Sequence, residues 1–281
     1  SGYLDAMLNH VAEGVNGSVR KEIDHMHNVG LSGEGQAFVH ATDATPGQLA
    51  RMSGEQTSIV WSPRSNLDLY QRTTPADVAM KMGVPVALGP DWTWSGSINP
   101  AREMTCAHEY LGARDASVPE GYSEWDQKLW EMTTADAARV VGLDGVIGAL
   151  EPGMVADISV FSWSVSPYKA VMKHGPSDVR LVLIGGDALY GVPELVDGLS
   201  SLSAWCETVQ PCGGDDRRIC VQAGESGTDA DNFADIQGTL EAALSAVTMP
   251  AGYEYAGELH GLWYCDDVRD CAFARAIKAA S

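Results

Sequence analysis

Val84–Trp92 reads VPVALGPDW, a buried strand running into an acidic loop. Val, Ala and Leu bounded by Gly83 and Gly89 form the short apolar run of a parallel strand buried on both faces. The run passes straight into Asp91, a carboxylate just beyond the strand's carboxyl end. In α/β barrels that loop layer is where the chemistry is done.

Three upstream segments repeat the pattern. A strand over Asp5–Ala12 precedes a helix over Ser18–Asn28, whose Val19, Ile23 and Met26 share one face. A strand over Gln36–Ala41 precedes a helix from Pro46 to Glu55, with Pro46 suited to the first turn. A strand over Thr57–Ser62 precedes an expected loop, PRSNLDLY, and a helix over Pro75–Met82. The strand in Val84–Gly89 leads through DWTWSGS to a helix over Pro100–Leu111.

Alternating strands and helices predict parallel βαβ units and an α/β fold. Four units make half of an eight-stranded (β/α)8 TIM-type barrel, which has two open edges and should not stand alone. Downstream, Trp125–Val141 reads as helical, and ADISVFS and VRLVLIGGDALYG read as strands of a small β-subdomain. The expected division is a barrel half over 1–146, subdomain strands over 147–196, and a Cys-bearing extension over 197–281 with a helix over Phe233–Val247.

Eighteen basic residues against 38 acidic give a net charge of −20. That balance repels phosphate backbones and anionic lipid, which argues against nucleic-acid and membrane-surface roles. No apolar run approaches a membrane span. The opening residues SGYLDAMLNH have neither the basic nor the apolar region of a signal peptide. They read as the approach to a strand, and the expectation is that something upstream has been lost. Cys106 stands alone, whereas Cys206, Cys212, Cys220, Cys265 and Cys271 crowd the last quarter. Clustered cysteines in a loop-rich acidic segment favour disulfides and an oxidising compartment, periplasmic or extracellular, over the cytoplasm. Five being odd, at least one is free or pairs elsewhere.

The strand ends carry the candidate chemistry. The first ends in NHVAEG, with His10 then Glu13; the second in VHAT, with His40; the third in WSPRSN; the fourth in GPDW, with Asp91. A lone His at a strand end is usually structural, and a lone Asp before a helix is usually an N-cap. Two imidazoles and two carboxylates together at one rim are ligands suited to a zinc-like ion. Such an ion lowers the pKa of water to about 7. His25 and His27 form an HxH pair but lie in a helical period, where residues two apart point about 200° from one another. They are read as solvent-facing.

HVAEG (10–14), FVHAT (38–42), IVWSPRSNLDLY (59–70), VPVALGPDW (84–92) and MTTADAARVVGLDGVIGALEPGMVADISVFS (132–162) together resemble the C-terminal portion of the amidohydrolase superfamily. The resemblance lies in the branch of cytosine, guanine and triazine deaminases and chlorohydrolases, and covers roughly residues 4–191. It implies that the four units are strands 5–8, the second half of a (β/α)8 TIM-type barrel, followed by strands of a flanking small β-sandwich. It implies that His10 is a metal ligand and that Glu13 is the acid/base. It implies that His40 polarises substrate or water, or binds metal, and that Asp91 touches the metal and accepts a proton. Ser62, Arg64 and Asn66 fall where substrate-contacting loop residues lie, and Trp92 and Trp94 are candidate walls for a flat ring. The implied cofactor is one divalent metal, zinc ahead of iron.

The superfamily's first-strand HxH and its first four strands have no counterpart here. The expected partner is therefore an N-terminal barrel-half polypeptide, most simply from the same precursor, with a small-molecule substrate and a homo-oligomer left open. The leading reading is a deaminase-like, metal-dependent hydrolase. The alternatives are an amidase on N-acyl substrates and a non-catalytic barrel remnant. Ser1 as an N-terminal nucleophile is set aside, because it lies at the opposite end of the first strand from His10.

Overall fold

A computed structural model describes residues 5–92, 95–114, 125–222 and 231–246, together with Trp263, Cys265 and Cys271. Ser1 and Trp94 lie outside the described residues. Two compact units are distinguished. One takes the described chain to Met154, the stretch Trp163–Lys173 and Cys271; the other takes Val155–Ser162 and the described residues from His174 to Cys265.

The first unit is α/β in the predicted order: β1 (Met7–Val11), α1 (Gly17–Asn28), β2 (Gln36–His40), α2 (Pro46–Glu55), β3 (Ser58–Trp61), α3 (Pro63–Tyr70), α4 (Ala76–Lys81), β4 (Val86–Leu88), α5 (Pro100–Arg114), α6 (Trp125–Glu131) and α7 (Ala135–Val140). The four strands pair in sequence order, all parallel. In-register pairs such as His10 with Val39, Val39 with Val60, and Val60 with Ala87 put the carboxyl ends at one rim.

Local chemistry explains the helix starts. The Asn16 side chain accepts from the Ser18 and Val19 amides at the head of α1. A reciprocal capping box between Thr45 and Gln48 starts α2, with Pro46 in the first turn. One apolar core under the sheet includes the fully buried Phe38, Ile59, Trp61, Leu49, Leu67, Met104, Leu111 and Leu129.

PRSNLDLY, expected as a loop, is helix α3. Pro63 occupies its first turn, where a missing N–H costs nothing. Trp125–Val141, expected as one helical region, is two helices broken by a turn at Met132–Thr134.

The second unit is built on an antiparallel sheet of β5 (Ile158–Phe161), β6 (Val179–Ile184), β7 (Asp187–Gly191), β8 (Cys206–Val209) and β9 (Arg217–Cys220), in the order β5-β6-β7-β9-β8. Helix α8 (Pro167–Met172) returns to the first unit, α9 (Pro193–Leu199) follows β7, and α10 (Phe233–Ser245) matches the expected C-terminal helix. The division expected between 196 and 197 does not separate sheets. β9 pairs with β7 at Tyr190–Ile219 and Gly191–Arg218, so the Cys-bearing segment completes the sheet. Its strands of four residues carry too short a pattern to be read as strands.

All six cysteines are bonded: Cys106–Cys271, Cys206–Cys220 and Cys212–Cys265. The odd cysteine of the late cluster is Cys271, and its partner is the isolated Cys106.

Candidate active site and metal centre

The rim is made by backbone that leaves each strand in an unusual conformation. Ala12 after β1, His40 and Ala41 at the end of β2, and Asp91 after β4 have φ of 55°, 75°, 45° and 61°. Non-glycine residues rarely occupy this left-handed region, and they do so where the surrounding structure forces it, often at functional sites. Here the turns are stitched together. The Ala41 amide donates to the Val11 carbonyl and the Thr42 amide to that of Ala12. The Ala12 amide donates to Glu22 Oε2 at 2.9 Å. Beside Asp91, a Cβ on Gly89 would stand 2.8 Å from Val60 Cγ1, so a side chain there would have to displace Val60 on the neighbouring strand.

These turns aim three side chains at one point. Ligand atoms of Glu13, His40 and Asp91 all lie within 4.8 Å of one another. His40 Nε2 is 3.6 Å from Glu13 Oε2 and 4.0 Å from Asp91 Oδ2. His40 is wholly buried, and its Nε2 has no hydrogen-bond partner among the described residues. Its other nitrogen, Nδ1, is 3.0 Å from Asn66 Nδ2, and its carbonyl accepts from the Thr74 hydroxyl. Burial lowers the His40 pKa, with the Glu13 and Asp91 carboxylates opposing that shift.

His10 lies next to the group, its ring centroid 5.2 Å from that of His40 and its residue exposed on the β1 edge. It is not a member of the three-residue cluster.

The residues expected near substrate divide. Asn66 faces His40. Trp92 is 66% exposed beside Asp91. Ser62 is buried at the head of α3 and makes no side-chain cap there. Arg64 is turned inward: its Nε donates to Ser97 Oγ at 2.8 Å and its amide to Glu103 Oε1 at 2.9 Å. It therefore ties α3 to α5 and to the loop carrying Asp91, away from the open rim. Glu103, wholly buried, also accepts from the Ser97 hydroxyl, and burial pushes its pKa up to about 7.

His25 is exposed, and His27 Nδ1 lies 2.5 Å from Glu55 Oε1, so the HxH pair is apart from the rim cluster.

Sequence reasoning missed Tyr70, whose hydroxyl donates to Glu13 Oε1 at 3.2 Å. Burial and the neighbouring Glu13 carboxylate raise the Tyr70 pKa. A signal existed: Asn66 and Tyr70 are four apart and share a face once 63–70 is helical.

The donor set fits a divalent cation. Two carboxylates converge beside His40, the His10 ring lies next to them, and among the described residues neither Glu13 nor Asp91 is paired with a lysine or arginine. An excess of negative charge at a partly enclosed rim is what a bound cation would balance.

Residues 6–190 match the model of the Amidohydrolase family. A 5-methylthioadenosine/S-adenosylhomocysteine deaminase of Teredinibacter turnerae is 29% identical over 142 residues, covering 50% of this chain and 31% of that protein. The guanine deaminase of Escherichia coli is 27% identical over 145 residues, covering 52% of this chain and 32% of that protein. The crystal structure of an adenosine deaminase from Xanthomonas campestris with bound zinc superposes with a TM-score of 0.56 at 21% identity, over 65% of this chain and 45% of that one. That likeness is one of fold. The chain spans about a third of the length of these two curated relatives. The family match runs from β1 into β7 and takes in every strand end that builds the rim, so the chain belongs to the amidohydrolase family.

Proposed function

We propose that this chain forms half of the active site of a metal-dependent hydrolase that removes an amine from an sp² carbon. The observation that carries the reading is the meeting of Glu13, His40 and Asp91 from three strand ends within 4.8 Å. Deaminases among the relatives favour a flat, amine-bearing ring as substrate.

In this reading β1–β4 are strands 5–8 of an eight-stranded barrel. Both β1 and β4 are sheet edges, and Leu8 on β1 stays 45% exposed. Such edges call for a covering element. The first four strands, with two further imidazole ligands, come from an N-terminal half, most simply part of the same precursor. The disulfides suit an oxidising compartment, periplasmic or extracellular.

His10 and Asp91 would hold one divalent ion, zinc ahead of iron, with His40 alongside. When bound, the ion supplies Lewis acidity that brings the pKa of water to about 7. Glu13 Oε2 faces the site, takes a proton from the attacking water and returns it to the departing amine. Tyr70, donating to Oε1, fixes the carboxylate so that Oε2 stays inward. Asp91 Oδ2 accepts the water's second proton, which passes to the ring nitrogen as the product carbonyl forms, and His40 Nε2 meets the developing charge on the substrate. Trp92 offers a wall for the ring.

The test is metal analysis and chelation of the assembled protein, with ammonia release from aminopurines as the assay. Bound metal together with activity lost on chelation is expected. An active, metal-free protein would overturn the reading. A second reading, an amidase on N-acyl substrates, draws on the disulfides, because secretion suits such substrates better than nucleobases. Release of an amino acid in place of ammonia would select it.

A further inference from the structure

Behind His40, away from the rim, runs a chain of buried hydrogen bonds that the proposed chemistry does not use. Trp61 Nε1 is 2.7 Å from Thr73 Oγ1. Thr73 Oγ1 is 3.1 Å from Asn66 Oδ1. Asn66 Nδ2 is 3.0 Å from His40 Nδ1. Trp61, Asn66 and His40 are wholly buried, and Thr73 is 8% exposed.

The chain has one favourable polarity, set at its far end. An indole N–H only donates. Thr73 must therefore accept from Trp61, and its own proton is then free for Asn66 Oδ1. That fixes the amide with Nδ2 towards His40, so Nδ1 of the imidazole must accept. With the amide reversed, Thr73 would accept twice. Its own proton would then be buried without an acceptor, since Trp61 and Asn66 are its hydroxyl's partners among the described residues. A stranded buried donor is the costly arrangement.

A neutral imidazole that accepts at Nδ1 carries its proton at Nε2. That nitrogen is the one facing Glu13 Oε2 and Asp91 Oδ2. A proton there has no hydrogen bond among the described residues, but it is attracted by two carboxylates 3.6 and 4.0 Å away, which a stranded Thr73 proton would lack; a lone pair at Nε2 would face them with like charge.

We propose that Trp61, Thr73 and Asn66 are positioning residues that hold His40 as the Nε2–H tautomer, so that His40 donates a hydrogen bond into the site and does not ligate the ion. The catalytic consequence rests on the function proposed above; the tautomer does not. The relay also accounts for Asn66, expected at the substrate loop, being spent on a histidine.

The test is long-range ¹H–¹⁵N spectroscopy of the assembled protein labelled at histidine nitrogen, with the His40 signals assigned by their loss in His40→Gln. The expected result is an unprotonated Nδ1 and a protonated Nε2. Thr73→Val, which keeps the shape but deletes the relay, should give a mixture of tautomers; Thr73→Ser should restore the single form. Asn66→Asp, which can only accept, should move the proton to Nδ1. In the amine-release assay, Thr73→Val should lower kcat by about 10-fold at unchanged KM. A protonated Nδ1 in the unaltered protein overturns the proposal, as does a tautomer that neither Thr73→Val nor Asn66→Asp disturbs. The expected spectrum in a protein without amine-releasing activity would sink the proposed function and leave the relay standing.

Discussion

Tyr70 touches Glu13 and nothing else explains why a phenol should point at the rim. Tyr70→Phe removes one hydroxyl from a half-buried ring, so folding should be nearly unaffected. The Glu13 carboxylate loses the donor that fixes Oε1, and kcat for amine release should fall by about 10-fold. An unchanged kcat would show that Glu13 is oriented by other contacts. Glu103 gives a second prediction, this one for stability. Its pKa is pushed from an ordinary 4.5 up to about 7 by burial, against hydrogen bonds from Ser97 and Arg64. The folded state thus holds a proton that the unfolded state has released. Stability should fall as pH rises from about 4.5 to 7 and level off above, by about 3 kcal/mol from this group. Glu103→Gln keeps the shape and removes the titration, so its denaturant midpoint should lose that part of the slope. An equal slope in the variant would assign the titration elsewhere. At this scale the sequence showed which residues stand at the rim, because a strand end is visible as an apolar run meeting a polar residue. Which way a side chain turns was not visible. Arg64 anchors to Glu103, 39 positions away, and no local pattern encodes that.

Among elements, the βα order of the first unit was largely legible because buried parallel strands show as short apolar runs between turn residues and helices show a period near 3.6. The misreading of 63–70 as a loop came from its polar look. Arg64, Ser65 and Asn66 are buried polar residues, satisfied by partners far along the chain, and they mimic a loop's composition inside a helix. The loop after α7 is the opposite case, a close approach to the helix that depends on one residue. Gly148 has φ +94°, and a Cβ there would lie 2.6 Å from Ala138 Cβ and 3.0 Å from the Thr134 carbonyl oxygen. Both the left-handed backbone and the collision with α7 oppose any side chain. Gly148→Ala should cost about 2 kcal/mol or more, read as a lowered chemical-denaturation midpoint with an unchanged m value. A variant as stable as the parent would mean that α7 shifts freely against this turn.

For the whole molecule, cysteine placement was legible and connectivity was not, because six cysteines allow fifteen pairings. The pairing follows from the fold. Cys206 and Cys220 sit opposite each other on β8 and β9, and Cys106 on α5 is buried within the core cluster that also holds Cys271. Each bond closes within a single compact unit. Sequence separations of 165, 53 and 14 residues rank their effects on the unfolded chain. In the chain-entropy picture these correspond to about 5, 4 and 3 kcal/mol, upper values because residual unfolded structure reduces them. Peptide mapping without reductant should therefore recover the three cross-linked pairs, and thiol titration of the native protein should find no free cysteine. Cys106→Ser with Cys271→Ser should lower the thermal midpoint of the first unit and leave that of the second in place. Cys206→Ser with Cys220→Ser should do the reverse. Free thiols in protein purified from an oxidising compartment would contradict the pairing. Midpoints that move together in both variants would show that the two units unfold as one, so that a bond's effect is not confined to the unit it closes.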